Sequence, residues 1–262
     1  MGPAFLIPCR LYLFRDVKLG PRHFCEDRES TLSIFAAIPS LERTIVSLTI
    51  SSGKPDAGGF FPRRFGIDPE FFVALLRKMP SLHTIIFDRC AVEPKGEAAS
   101  MLLPQDRWDH PRLRLLSISP SYQVSPVVDI FRTMAIFRQV PVDSVALRHD
   151  YDPPQNADPE RTVYVDEQEY EALRGWHVGT LYVRGRSTTR KEIQSTTMGL
   201  LSAGVADVLK IDHWGLPFLQ RLLDSFRSSH GWRNMKSLKL EVVPRPARFL
   251  PGALYVVLVC II

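Results

Sequence analysis

The side chains able to do chemistry gather at three places. His149-Asp150-Tyr151-Asp152 is the densest polar cluster, and an imidazole beside carboxylates is the raw material of a metal site or an acid–base pair. Asp212-His213-Trp214 follows an apolar stretch ending at Ile211. The region past the carboxyl end of a strand is where α/β proteins often place their sites. Arg184, Arg186, Arg190 and Lys191, with Arg174 before them, form a basic cluster suited to a phosphate or an acidic partner.

A plainer explanation is favoured for each. No second histidine or carboxylate pair stands at a fixed spacing from His149, which opens a proline-rich stretch, so that cluster reads as a solvated loop. Asp212–Trp214 reads as a turn with a partly buried indole. Glu192 follows the basic cluster immediately and no aromatic residues interleave it for base stacking, so it reads as a solvated face or loop. The four cysteines, Cys9, Cys25, Cys90 and Cys260, form no C-x-x-C pair. They are expected to be reduced and mostly buried rather than zinc ligands. There is no Walker loop, G-x-G-x-x-G, G-x-S-x-G or H-E-x-x-H. The expectation is therefore no catalytic residue, no cofactor and no metal.

Composition bounds the rest. The chain has 262 residues, 45% apolar and 23% charged, which is globular and excludes a disordered or collagen-like chain. A net charge of +5 is too mild to point to nucleic acid, and no apolar run is long enough to span a membrane as a helix. The apolar N-terminus lacks a basic leader pattern and there is no Asn-x-Ser/Thr site, so a cytoplasmic or nuclear location is expected. Proline is in excess at 21 residues, while asparagine occurs only as Asn156 and Asn234.

What must position any site is a repeat. The phrase apolar-x-x-apolar-x-apolar occurs as Phe14-x-x-Val17-x-Leu19, Ile45-x-x-Leu48-x-Ile50, Leu82-x-x-Ile85-x-Phe87 and Leu113-x-x-Leu116-x-Ile118. It continues as Val142-x-x-Val145-x-Leu147, Val178-x-x-Leu181-x-Val183, Ala206-x-x-Leu209-x-Ile211 and Met235-x-x-Leu238-x-Leu240. Successive copies start 28 to 37 residues apart. The last two apolar positions are two residues apart and share one face of a strand. One such strand cannot bury itself, but copies stacked as a parallel sheet make a continuous core, with crossovers of a dozen or more residues between them.

The crossovers carry helix signals. Asp68-Pro69-Glu70 supplies an N-cap, a first-turn proline and an acid ahead of Phe71, Phe72, Leu75, Leu76 and Met79. Ser125-Pro126 opens a second helix, and further helices are expected over 29–38, 166–174, 188–201 and from Leu216. Pro39, Pro80, Pro111 and Pro141 stand just before strand phrases, ending one element and extending the next. Loops are expected over 51–67 and 150–161, at the two widest repeat spacings.

The phrase resembles the strand core of a leucine-rich repeat, and Cys90 falls where that family often has Asn or Cys. Arg22, Gly53, Ser121, Asp150, Arg186, Trp214 and Val243 stand there in other copies, so the repeat is degenerate. Leu11–Leu19, Ile38-Pro39-Ser40-Leu41 and Met79-Pro80-Ser81-Leu82-His83-Thr84-Ile85 resemble the junctions of fungal F-box proteins with degenerate leucine-rich repeats. The resemblance implies an α/β, leucine-rich-repeat-like solenoid: one parallel sheet of about seven or eight short strands with helices on the outer face. Residues 1–13 read as a remnant of the segment following an F-box that is itself largely or wholly missing, 14–243 as the repeat domain, and 244–262 as an apolar tail, either a final buried strand or the stump of a truncated repeat.

It further implies a non-enzymatic interaction scaffold, similar to the substrate-recognition region of a ubiquitin-ligase receptor, binding an unknown protein target. A ligase adaptor would join only through an upstream F-box, and neither nucleic acid nor membrane is expected as a partner. In such a repeat the residues between the apolar positions face the concave surface, giving Thr84, Ile86, Leu115, Ser117, Thr180, Tyr182, Lys210 and Lys239 as the partner-binding residues. The alternative is a compact α/β enzyme of unknown reaction, whose strand order would reverse around a crevice holding His149 or His213.

Overall fold

The computed structural model describes residues 12–25, 28–37, 43–52, 66–92, 108–120, 126–149, 173–185, 195–200, 203, 205–212, 237–242 and 256–261. In chain order the elements are β1 (Asp16–Leu19), α1 (Pro21–Cys25), α2 (Arg28–Ala37), β2 (Ser47–Ser51), β3 (Gly66–Ile67), α3 (Pro69–Arg77), β4 (Thr84–Asp88) and β5 (Ala91–Val92). There follow β6 (Leu113–Ser119), α4 (Pro126–Ala135), β7 (Val142–His149), β8 (Val178–Gly185), β9 (Ala206–Asp212), β10 (Ser237–Val242) and β11 (Val256–Ile261).

Every copy of the phrase ends in a strand, and the strands form one nine-stranded sheet in the order β1-β2-β4-β6-β7-β8-β9-β10-β11. The first eight run parallel, and β11 closes the edge antiparallel to β10. The order follows the chain and nowhere reverses among these strands; a reversal was what the enzyme reading required. Register follows the phrase: Val17, Leu48, Ile85, Leu116, Val145, Leu181, Leu209 and Leu238 are successive partners. A slip of one residue would turn each apolar row outward, so the pattern itself pins the register.

From Leu48 to Leu209 that row is fully buried, as are Ile50, Phe87, Leu147, Val183 and Ile211 of the row beyond it. Helix α3 begins where the sequence places it. The Asp68 carboxylate accepts from the amides of Glu70 (3.1 Å) and Phe71 (3.4 Å), and Pro69 costs no hydrogen bond in the first turn. The helix buries Phe72, Val73, Leu75 and Leu76 in the same core as the strands. Phe72, Phe87, Phe137 and Trp108 meet edge to face there, with centroids 5.4 to 6.4 Å apart.

Polar side chains tie several units to their neighbours, across 30 to 40 residues of sequence. The Cys90 thiol donates to the Ile50 carbonyl (3.3 Å), and the Trp176 indole to the Val140 carbonyl (3.2 Å). His110 accepts at Nδ1 from the Arg112 amide (3.3 Å), which leaves its Nε2–H to donate to the Pro80 carbonyl (3.0 Å). Its burial lowers its pKa, consistent with this neutral tautomer. Ser51 donates to Asp88 (2.8 Å), and Arg112 pairs with Asp143 (2.6 Å). Burial raises the Cys90 thiol far above its ordinary range, so it serves as a weak donor and not as a nucleophile.

Some expectations are corrected. The stretch 51–67 is not wholly loop: Ser51 completes β2, and Gly66–Ile67 pairs in parallel with Ala91–Val92 as a small second sheet. His149 does not open a solvated loop. It is the last residue of β7, fully buried and opposite Gly185. Phe14, expected inside, is 38% exposed, because β1 is the sheet edge. The helix over 29–38 is α2, one residue displaced, and residues 195–200 are helical within the span 188–201. The helices of 166–174 and from Leu216, and the loop 150–161, fall wholly or mostly outside the described residues.

Candidate functional site

A parallel sheet buried on one face presents a second row of side chains on the other. Thr49, Ile86, Ser117, Ala146, Tyr182, Lys210 and Lys239 are successive register partners across it, as are Ser47, Thr84, Leu115, Ser144, Thr180 and Val208. With strands ~4.8 Å apart, the eight parallel strands span roughly 34 Å. Thr84, Ile86, Leu115, Thr180, Tyr182 and Lys210 are all partly exposed there. Lys239 lies on β10 opposite Lys210. Ser117 departs from expectation: at 3% exposure, its short side chain is sunk between Ile86 and Ala146 and offers little contact surface.

The chemistry along this face changes from end to end. Ile86 and Leu115 are adjacent-strand apolar groups on β4 and β6, and Tyr182 adds an amphipathic ring on β8. Apolar and aromatic groups of this kind, ringed by polar ones, are the usual anchors of a protein contact.

At the N-terminal ends of β1, β2, β4 and β6 the same face opens into a cavity of about 410 Å³. Tyr12, Arg15, Asp16, Val46, Ser47, His83, Thr84 and Arg114 line it. Thr84 was expected on the face; Arg15, His83 and Arg114 were not. They occupy the second position of the phrase, which the apolar pattern leaves unconstrained. Reading that column would have found them: Arg15, Val46, His83 and Arg114, followed by Asp143, Gly179 and Asp207. The two acids at its far end meet partners of their own, Asp143 the Arg112 guanidinium at 2.6 Å and Asp207 the His177 ring at 2.8 Å.

The three polar clusters of the sequence do not converge. His149 is buried at the end of β7, and its pKa is pushed down to about 3 by that burial. Asp212 ends β9, while His213 and Trp214 lie outside the described residues. Arg174 and Arg184 are exposed, and Arg186, Arg190 and Lys191 again lie outside. Among the described residues no group of histidine, cysteine and carboxylate side chains could hold a metal ion, and no helix is long and apolar enough to cross a membrane. Comparison with family models, curated proteins and solved structures finds no match to this chain.

Proposed function

We propose that the chain is a leucine-rich-repeat-like solenoid whose second sheet face binds a protein partner, in the manner of the substrate-recognition region of F-box proteins. The observation that carries this is the register: eight copies of one phrase align position for position in chain order. Ties between neighbouring units, across 30 to 40 residues of sequence, support it, since in a solenoid each unit rests on its neighbours alone. On this reading the chain does no chemistry of its own. Ile86, Leu115 and Tyr182 anchor the partner, Thr84 and Thr180 supply hydrogen bonds, and Lys210 and Lys239 favour acidic surface. Ubiquitin-ligase adaptor recruitment belongs to the proposal only with an F-box upstream.

Affinity capture with quantitative mass spectrometry tests it. Proteins retained by the native chain should be lost together from the Ile86→Asp/Tyr182→Ala variant and kept by a variant at exposed Glu70 on α3, all three chains having similar melting temperatures. Equal capture by the native chain and the face variant would contradict the assignment.

A further inference from the structure

The cleft at the N-terminal strand ends has a chemistry of its own. Its backbone is fixed by the sheet: the Arg15 carbonyl accepts from the amides of Val46 (2.9 Å) and Ser47 (3.1 Å), and the Arg114 amide donates to the His83 carbonyl (2.9 Å). Arg15 and Arg114, about 100 residues apart in sequence, therefore line one cavity, Arg114 from β6 and Arg15 from the bend just before β1, whose carbonyl the next strand holds. Elsewhere on the sheet Arg112 is matched by Asp143 and Arg89 by Asp88. For Arg15 and Arg114 the described residues provide no such partner. Ser47 and Thr84 add hydroxyls, and a volume of about 410 Å³ lies within the range of small-ligand sites.

The charge balance narrows the ligand. Asp16 sits in the lining, so the two guanidinium groups of the cleft are set against one carboxylate. That suits a single carboxylate better than a doubly charged phosphate, which Asp16 would repel. We propose that the cleft seats an acidic side chain of an extended partner peptide, held by the guanidinium groups of Arg15 and Arg114 and by the hydroxyls of Ser47 and Thr84. This deepens the reading of the second face as a protein-binding surface and rests on it, since Thr84 belongs to both.

Fluorescence anisotropy at low salt, with labelled oligoglutamate and oligoglutamine peptides of equal length, tests the cleft separately from the wider face. Oligoglutamate should bind the native chain more tightly than oligoglutamine. Arg15→Gln/Arg114→Gln should weaken it by about fivefold to tenfold, as expected for two exposed charge pairs, and Lys78→Gln, exposed at the end of α3, should change it little. Equal binding of the two peptides, or oligoglutamate binding untouched by the double substitution, would overturn the proposal. Displacement by inorganic phosphate but not by acetate would also overturn it, reassigning the cleft to a phosphate group. Binding that depends on the arginines while the Ile86→Asp/Tyr182→Ala variant captures the same proteins as the native chain would preserve the cleft and remove the wider face.

Discussion

The two faces of the sheet are made by the same strands, yet they obey different rules. On the buried face, Leu48, Ile85, Leu116, Val145, Leu181 and Leu209 repeat one chemistry with only the branching varied. On the other face the register partners run Thr49, Ile86, Ser117, Ala146, Tyr182, Lys210. The first face must satisfy every neighbour at once, because interiors are close-packed and each row continues into the next unit. The second is free to vary, and that is where a surface can become specific. The fold is written in what repeats; the function we propose is written in what does not.

Substitution should separate the faces sharply. Phe87→Ala removes a ring that meets both Phe72 and Phe137, and should cost about 3–5 kcal/mol, measured by urea unfolding. Thr84→Ala, three residues earlier but on the other face, should cost no more than about 1 kcal/mol. Similar losses at both sites would mean the faces are not distinct.

Acid should reach the buried face through His149. Its pKa is pushed down to about 3 by burial, against 6.5 for an unhindered imidazole. Between those values the unfolded chain binds a proton that the folded chain does not, so stability rises with pH across the window and is lost on acidification below about 6.5. By pH 5 the loss should be about 2 kcal/mol, and His149→Gln should flatten this dependence. His110, lowered by burial in the same direction, leaves a smaller slope in that variant. An unfolding midpoint independent of pH from 7 to 5 would contradict the burial of His149.

Backbone spacing gives a smaller effect. A Cβ at Gly179 would lie 2.9 Å from the Asp143 carbonyl oxygen on the neighbouring strand, and that oxygen belongs to backbone. Gly179→Ala should therefore destabilise by about 1–3 kcal/mol, visible as a lowered thermal midpoint, although alanine ordinarily favours the folded state over glycine. Smallest of all, Arg112→Gln should barely move that midpoint, because the Asp143 pair lies on the surface, where salt and water screen it. A large change there would give surface pairing a greater part in joining the units than the core.

Much of the fold was legible in the sequence for a physical reason. The phrase spacing demands one apolar face per strand, and Asp68-Pro69 announces a helix start by itself. The strand pair Gly66–Ile67 and Ala91–Val92 was not legible, because two residues carry no period. The burial of His149 and Ser117 was hidden, since polarity suggested solvent while both stand in paired strands of the sheet. The cleft was hidden in another way: Arg15 and Arg114 become neighbours only once β1, β2, β4 and β6 stand side by side.

Everything rests on strands that stand in chain order with the phrase in register, and engineered cysteine pairs read this directly. Adjacent parallel strands lie ~4.8 Å apart, within the ~4.4–6.8 Å that a disulfide spans between Cα atoms. Ala146→Cys/Tyr182→Cys, partners on β7 and β8, should oxidise to an intramolecular disulfide identified by peptide mass spectrometry without reduction. Ile86→Cys/Tyr182→Cys, in the same row but on β4 and β8, should not. A link in the second pair, or none in the first, would contradict the stacked, in-order sheet.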